Sequence, residues 1–220
     1  MSEKTVLITG ANKGIGLELC KRALKETYSV IATCRKTSSE LENLPLKVFE
    51  NVDVKEEESL LSIKPKLPPL DLLINNAGVL ANETLDNMDW HSMSHQFAVN
   101  ALGPMKCTAS WLSKLKQPSK VVLVTSRMGS IEDNGSGGYY GYRMSKAALN
   151  AAGKSMSKDL KPKDIAVLIV HPGFVKTNMT GFNGQVTPEE SAQNIFTRIN
   201  ELTLATSGAF LHAEGTPLPW

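Results

Sequence analysis

The chain has 220 residues, 41% of them hydrophobic and 21% charged, which suits one globular domain with a substantial core and leaves little room for a two-domain enzyme. Lys and Arg number 24 against 22 Asp and Glu, and aromatics make up only 6%, so neither nucleic acid nor an anionic membrane is expected as the partner. No apolar run approaches the roughly 20 residues that span a bilayer, and Met1-Ser2-Glu3-Lys4 lacks the basic-then-apolar start of a secretory leader, so a cytoplasmic location is expected.

Val6-Leu7-Ile8-Thr9 predicts a short buried strand that runs into a glycine-rich turn, and residues 15–26 read as the helix behind it. Residues 30–33 predict a second buried strand and residues 48–52 a weaker third. Residues 56–63 form an expected short helix, stopped by Pro65, Pro68 and Pro69, and residues 70–74 a fourth strand. One long helix is expected from Trp90 to about Leu115, kinked at Pro104. A fifth strand at 121–124, a helix from Gly141 to about Leu160 and a sixth strand at 165–170 follow. The last helix, 188–202, has Thr187 as its cap, Pro188 at its first position and Glu189 and Glu190 facing its positive end. Residues 209–211 complete about seven strands. Strands that are apolar throughout and alternate with helices predict an α/β fold: one domain, a doubly wound parallel sheet with helices on both faces. Cys20, Cys34 and Cys107 are widely spaced and odd in number, so they read as reduced apolar residues.

The first strand ends in Thr9-Gly10-Ala11-Asn12-Lys13-Gly14-Ile15-Gly16. Glycines let the backbone turn sharply and approach a pyrophosphate, and the helix behind them points free N–H groups and its positive end at the phosphates. The spacing G-x-x-x-G-x-G is not the common G-x-G-x-x-G, so its place directly after the first strand carries the reading. The second strand ends in Cys34-Arg35-Lys36, with no carboxylate to hold a ribose 2′-hydroxyl. Arg35 can instead fork to a 2′-phosphate, and Lys13 adds a second cation, which favours NADP(H) over NAD(H).

Tyr142 and Lys146 stand four residues apart, on one face of a predicted helix. A free tyrosine, with a pKa of about 10, is a poor acid–base at neutral pH, and a neighbouring ammonium is expected to lower that value. Ser126 follows the fifth strand at the carboxyl edge of the sheet, where ligands of α/β proteins bind. Asn75-Asn76-Ala77-Gly78 ends the fourth strand, and Asn100 lies within a predicted helix that asparagine does not favour. His91 and His95 are one helical turn apart but lack the Glu of H-E-x-x-H, so no metal is expected.

This set, with Pro172-Gly173, resembles the short-chain dehydrogenases/reductases in family order over nearly the whole chain. The run Tyr140-Gly141-Tyr142-Arg143-Met144-Ser145-Lys146-Ala147-Ala148 and the closing Leu218-Pro219-Trp220 look like the sniffer/C-factor branch of carbonyl reductases. The resemblance implies a Rossmann-like domain with a nucleotide-binding half at about 1–100 and a catalytic and substrate half at about 100–220. It makes Tyr142 the general acid–base, Ser126 the group that orients the carbonyl, and Lys146 the holder of the nicotinamide ribose. Asn100 would hold a water in a proton relay from Lys146. Gly10, Asn12, Lys13, Gly14, Ile15, Gly16 and Arg35 would hold the phosphates, and Asp53 and Val54 the adenine. Asn76, Ala77 and Gly78 would line the ribose, and Pro172, Gly173, Val175 and Thr177 the nicotinamide side. A loop between Ser126 and Tyr142 longer than in most members brings Met128, Ile131 and a glycine run beside the pocket, and a short segment 176–186 with Met179 and Phe182, next to Phe174, suggests an open apolar substrate pocket.

The implied activity is reduction of a small aldehyde, ketone or dicarbonyl with NADPH. A cofactor-binding signalling protein on the same fold stays open, and the Ser126–Tyr142–Lys146 set argues against it. An extended sugar-nucleotide epimerase is disfavoured by the absence of a long carboxyl-terminal domain. The helices from Trp90 and Gly141 carry apolar residues on several sides (Ala147, Ala148, Leu149, Ala151 and Ala152), more than one sheet face should bury, and the small ones suggest close helix packing between subunits, in a homodimer or homotetramer.

Overall fold

In the computed structural model, which describes residues 4–220, seven strands form one sheet. They are β1 (Thr5–Thr9), β2 (Ser29–Thr33), β3 (Lys47–Phe49), β4 (Leu70–Asn75), β5 (Leu115–Val124), β6 (Ile165–His171) and β7 (Phe210–His212). Their order is β3-β2-β1-β4-β5-β6-β7, and every neighbouring pair runs parallel. The expectation about Met1-Ser2-Glu3 lies outside the described residues.

Seven α-helices cover the sheet: α1 (Gly14–Lys25), α2 (Ser39–Glu42), α3 (Glu57–Ile63), α4 (Trp90–Phe97), α5 (Gly103–Trp111), α6 (Tyr140–Asp159) and α7 (Pro188–Glu201). The period of two along each strand divides the core between two layers. Across the sheet, Ile31, Leu7, Leu73, Val121 and Val167 form one row, packed with Leu60 of α3, Trp111 of α5 and Leu149 of α6. The adjacent row, Ala32, Ile8, Ile74, Val122 and Leu168, packs with Leu19 of α1 and Phe196 of α7. Both faces are therefore buried, which is why these strands read as continuous apolar runs. Trp111 is fully buried, and its indole N–H donates to the Leu60 carbonyl at 3.0 Å.

From β1 the chain builds outward to β2 and β3, and from β4 outward the other way. The crevice where the order reverses lies at the carboxyl ends of β1 and β4, the usual ligand position in such sheets. The expected start of α7 is present as a reciprocal cap. Thr187 accepts from the Glu190 N–H at 3.1 Å, and the Glu190 carboxylate accepts from the Thr187 N–H at 2.8 Å, which holds that carboxyl below its ordinary pKa.

Three expected elements differ. The third strand ends at Phe49, because Asn51 turns to φ 58° and hands its N–H to the Arg35 carbonyl. The helix expected from Trp90 to about Leu115 is two helices joined by a π turn at Ala98–Leu102, and it ends at Trp111. The break expected at Pro104 falls directly upstream of it: the proline has no N–H for the carbonyl four residues back, and the Gly103 N–H reaches back to the Ala98 carbonyl to close the π turn. Leu115 belongs to β5, which therefore starts before residue 121.

Candidate active site

The tips of β1 and β4 are stapled together. The Thr9 hydroxyl accepts from the N–H groups of Asn76 and Ala77, both at 3.1 Å. The Asn76 side chain donates to the carbonyls of Thr9 at 3.0 Å and Gly10 at 3.1 Å. Between these tips only glycine fits. Gly10 takes φ +64°, and a Cβ there would lie 2.8 Å from the Ala77 Cα. A Cβ on Gly16 would run into the Gly10 carbonyl and stand 2.6 Å from the Asn76 amide nitrogen. The cap position of α1, Lys13, supplies no side-chain hydrogen bond, so no side chain closes off the positive end of α1.

The glycine turn is tied to the end of β2. The Asn12 amide donates to the Lys36 carbonyl at 2.9 Å, and the Ser38 hydroxyl donates to the Asn12 carbonyl at 2.7 Å. These bonds set Arg35, Lys36 and Lys13 around one end of a cleft of about 680 Å³. Asp53 and Val54 enter the same cleft from the loop after β3, held there by the Ser59 hydroxyl, which accepts from the Asp53 N–H at 3.1 Å. Asn76, Ala77 and Gly78 line its middle, and Tyr142, Lys146, Pro172, Thr177 and Met179 its far end.

At that far end Tyr142 and Lys146 project from the first turns of α6 and are 7% and 4% exposed. The Lys146 ammonium donates to the Val124 carbonyl at 3.0 Å and stands 5.8 Å from the centre of the Tyr142 ring. Burial pushes the lysine down to about 8. Burial also pushes the Tyr142 phenol above its ordinary 10, and a hydrogen bond with the Ser126 side chain works the other way. The expected lowering of Tyr142 by its neighbouring lysine is therefore reversed here. Both groups have left water, Lys146 is directed at a carbonyl, and loss of solvation outweighs attraction across 5.8 Å. A phenol in this state keeps its proton at neutral pH and is fit to donate it.

Asn100 is fully buried within the π turn, which accounts for an asparagine in a helical stretch. Its side chain accepts from the Val79 N–H at 2.8 Å and donates to the Val79 carbonyl at 2.8 Å and the Ser145 hydroxyl at 3.0 Å. The amide is thus committed to tying the loop after β4 to α6, where Ser145 in turn donates to the Tyr142 carbonyl at 2.8 Å. Both amide hydrogens are spent in these bonds, which leaves a relay water the second lone pair of the side-chain oxygen or the main chain.

All the expected cofactor residues except Gly173 and Val175 line the cleft. Gly173 (φ +92°) and the buried Val175 shape the turn behind Pro172. Of the four expected substrate contacts, Met179 lines the cleft. Met128, Phe174 and Phe182 do not, and the last two are exposed. Ser126 is buried beside Tyr142, and its hydroxyl accepts from the Met128 N–H at 3.1 Å. Sequence reasoning missed Val79, Leu80 and Asn178, which also line the cleft. The first two directly continue the Asn-Asn-Ala-Gly run, and extending that motif by two residues would have found them. His171, at the end of β6, is held near 3 by burial, then by His212, Arg127 and Lys146, so it is neutral and no acid.

A family model described as short chain dehydrogenase matches residues 4–187. The chain is 36% identical over 224 residues to the 1-hydroxy-2-glutathionyl-2-methyl-3-butene dehydrogenase of Rhodococcus sp. (strain AD45), covering 98% of this chain and 99% of that protein. It is 43% identical over 155 residues to the C-signal of Myxococcus xanthus, covering 69% of this chain and 93% of that protein. Among solved structures, the NADPH-bound carbonyl reductase from chicken fatty liver matches with a TM-score of 0.92 and 30% identity over 100% of both chains.

Proposed function

The chain belongs to the short chain dehydrogenases, and from that premise we propose that it is an NADPH-dependent reductase of small aldehydes, ketones or dicarbonyls with Tyr142 as proton donor. The observation that carries this reading is one cleft with Arg35, Lys36 and Lys13 at one end and a buried Tyr142–Lys146 pair at the other. The cations suit a 2′-phosphate, and β2 ends without the carboxylate that would repel one. The glycine cradle and the open end of α1 suit a pyrophosphate. The NADPH held by the chicken liver enzyme agrees with this choice.

NADPH, when bound, supplies the hydride. The protein's own part is to place the carbonyl and complete the proton count. In this reading Tyr142, at the cleft wall, passes its proton to the carbonyl oxygen as charge builds on it, and Ser126, hydrogen-bonded to Tyr142 from just behind the lining, orients that oxygen with it. Lys146, half-way to neutrality near pH 8, carries a charge at neutral pH that stabilises the phenolate left behind.

A panel of carbonyl compounds tests the reading. NADPH is consumed with at least one of them and NADH far more slowly. Tight NADPH binding with no consumption across the panel would favour the second reading, a cofactor-binding signalling protein, for which the 43% identity to C-signal speaks.

The finer placements rest on the same footing. Trp90, Met105 and Met144 are exposed on α4, α5 and α6, and they support self-association into a dimer or tetramer, which sedimentation at micromolar concentration measures. Three buried, unpaired cysteines suit the cytoplasm, and no helix among the described residues is long and apolar enough to cross a membrane.

A further inference from the structure

Glu83, on the loop between β4 and α4, is 1% exposed, and no cation pairs with it among the described residues. A carboxylate this deep demands hydrogen bonds, and it has three. One oxygen accepts from the Gln96 amide at 2.5 Å and the Ser92 hydroxyl at 3.1 Å, both on α4. The other accepts from the Gly141 N–H at 3.2 Å, in the first turn of α6. The main-chain carbonyl of the same residue accepts from the Tyr139 N–H at 3.0 Å.

Glu83 thus grips α6 on both sides of Tyr140, and its nearer hold, Gly141, is one residue ahead of Tyr142. The first turn of a helix carries free N–H groups and a partial positive charge, so a carboxylate belongs there. The residue at the usual cap position, Tyr139, makes no side-chain bond and sits at φ 52°, so Glu83 supplies from a distant loop what the local sequence does not. The fit is tight. A Cβ on Gly141 would lie 2.6 Å from the Gln96 amide nitrogen and 2.9 Å from the Met93 Cα. The same Gln96 accepts from the Ala81 N–H at 3.0 Å, which anchors the loop whose earlier residues, Asn76 to Leu80, line the cleft.

We propose that Glu83 is the positioning residue for Tyr142: through the Gly141 and Tyr139 N–H groups it fixes where the first turn of α6 stands, and so where the phenol meets the substrate oxygen. This rests on the reading of Tyr142 as proton donor. Glu83 does not touch the cleft, so its effect falls on the chemical step and not on cofactor affinity.

The test exploits hydrogen-bond complementarity. Glu83→Gln keeps the shape but turns one acceptor into a donor, so an NH₂ group faces either the Gly141 N–H or the Gln96 amide. The paired variant Glu83→Gln/Gln96→Glu restores the match. The carboxylate introduced at 96 accepts from the Ala81 N–H and from the amide introduced at 83, whose oxygen stays free for Gly141. With NADPH and a reactive dicarbonyl, Glu83→Gln should lower kcat between about tenfold and a hundredfold at unchanged NADPH Kd, because a small misplacement of a reacting group has that effect. The paired variant should return kcat to within about threefold of the parent. A folded Glu83→Gln protein with parental kcat overturns the proposal, as does a loss expressed in NADPH Kd. If Glu83→Gln does not fold, the paired variant decides alone, and a kcat still down tenfold overturns the proposal. Tyr142→Phe, run alongside, separates the two ideas. Parental turnover there sinks the functional reading itself, whereas an inactive Tyr142→Phe beside a fully active Glu83→Gln sinks only the positioning role.

Discussion

At the proposed nucleotide end of the cleft the cradle is shaped by main chain, with exposed cations at its rim. Gly10 and Gly16 have no room for a side chain, Thr9 and Asn76 bond to backbone groups, and the open start of α1 offers N–H groups. At the proposed catalytic end the polar groups are side chains taken out of water: Tyr142, Lys146, Ser126, Asn100 and, behind them, Glu83 are all at least nine-tenths buried. Backbone cradles are set by local geometry and cost little to desolvate once the sheet exists. Buried polar side chains each lose hydration, and each must find partners on other elements. The first region therefore fails through lost space, and the second through lost hydrogen bonds or protons.

The largest effect expected is at the catalytic end. Tyr142→Phe keeps the ring packed and removes only the hydroxyl, so carbonyl reduction should fall by about 10²–10⁴-fold with NADPH affinity nearly intact. A titration showing affinity lost in step with turnover would mean that the two ends do not fail separately.

Next is the cost of burying Lys146, whose pKa of about 8 lies below the 10.5 of an exposed lysine. Between these values the unfolded chain binds the extra proton, so stability rises with pH there, and below pH 8 the full penalty is present. Replacement by Met removes the titration. In the cofactor-free protein, urea unfolding should show the parent gaining on Lys146→Met by on the order of 3 kcal/mol as pH climbs from 8 to 10.5. A difference that stays flat over that range contradicts a desolvated lysine.

At the nucleotide end, Gly16→Ala should overpack the turn against the Gly10 carbonyl and the Asn76 amide. NADPH binding should weaken by roughly 10- to 100-fold, the scale of a steric insertion into a packed site. Fluorescence titration with unchanged affinity would show that the turn can give way. The smallest effect belongs to Arg35, which is exposed, so its pairing with a phosphate is screened by water. Arg35→Asp should shift the ratio of NADPH to NADH affinity by about tenfold toward NADH. Equal affinities for both cofactors in the parent would remove the charge argument.

The same contrast decides what could be read from the sequence. The nucleotide end is contiguous: residues 9–16, 34–36 and 75–78 are short runs in which residue type and the preceding strand carry the meaning. The sheet was legible for a similar reason, since strands buried on both faces leave apolar runs in one dimension. The π turn at Ala98–Leu102 was not legible, because a proline says that a helix is disturbed before it but not how the backbone rewinds there. Nor was Glu83, which belongs to no local pattern and acquires its place only when α4 and α6 meet. The direction of the Tyr142 shift is hidden for a related reason, since spacing gives the neighbour but not the loss of solvent around both groups.

The most direct test of the account crosses the two ends in one experiment: single-turnover NADPH oxidation with a reactive dicarbonyl, beside an NADPH titration, for the parent, Tyr142→Phe and Arg35→Asp. Tyr142→Phe should bind NADPH like the parent and fail to turn over. Arg35→Asp should bind it more weakly and, once saturated, react at close to the parental rate. A Tyr142→Phe protein that oxidises NADPH at the parental rate would contradict the account.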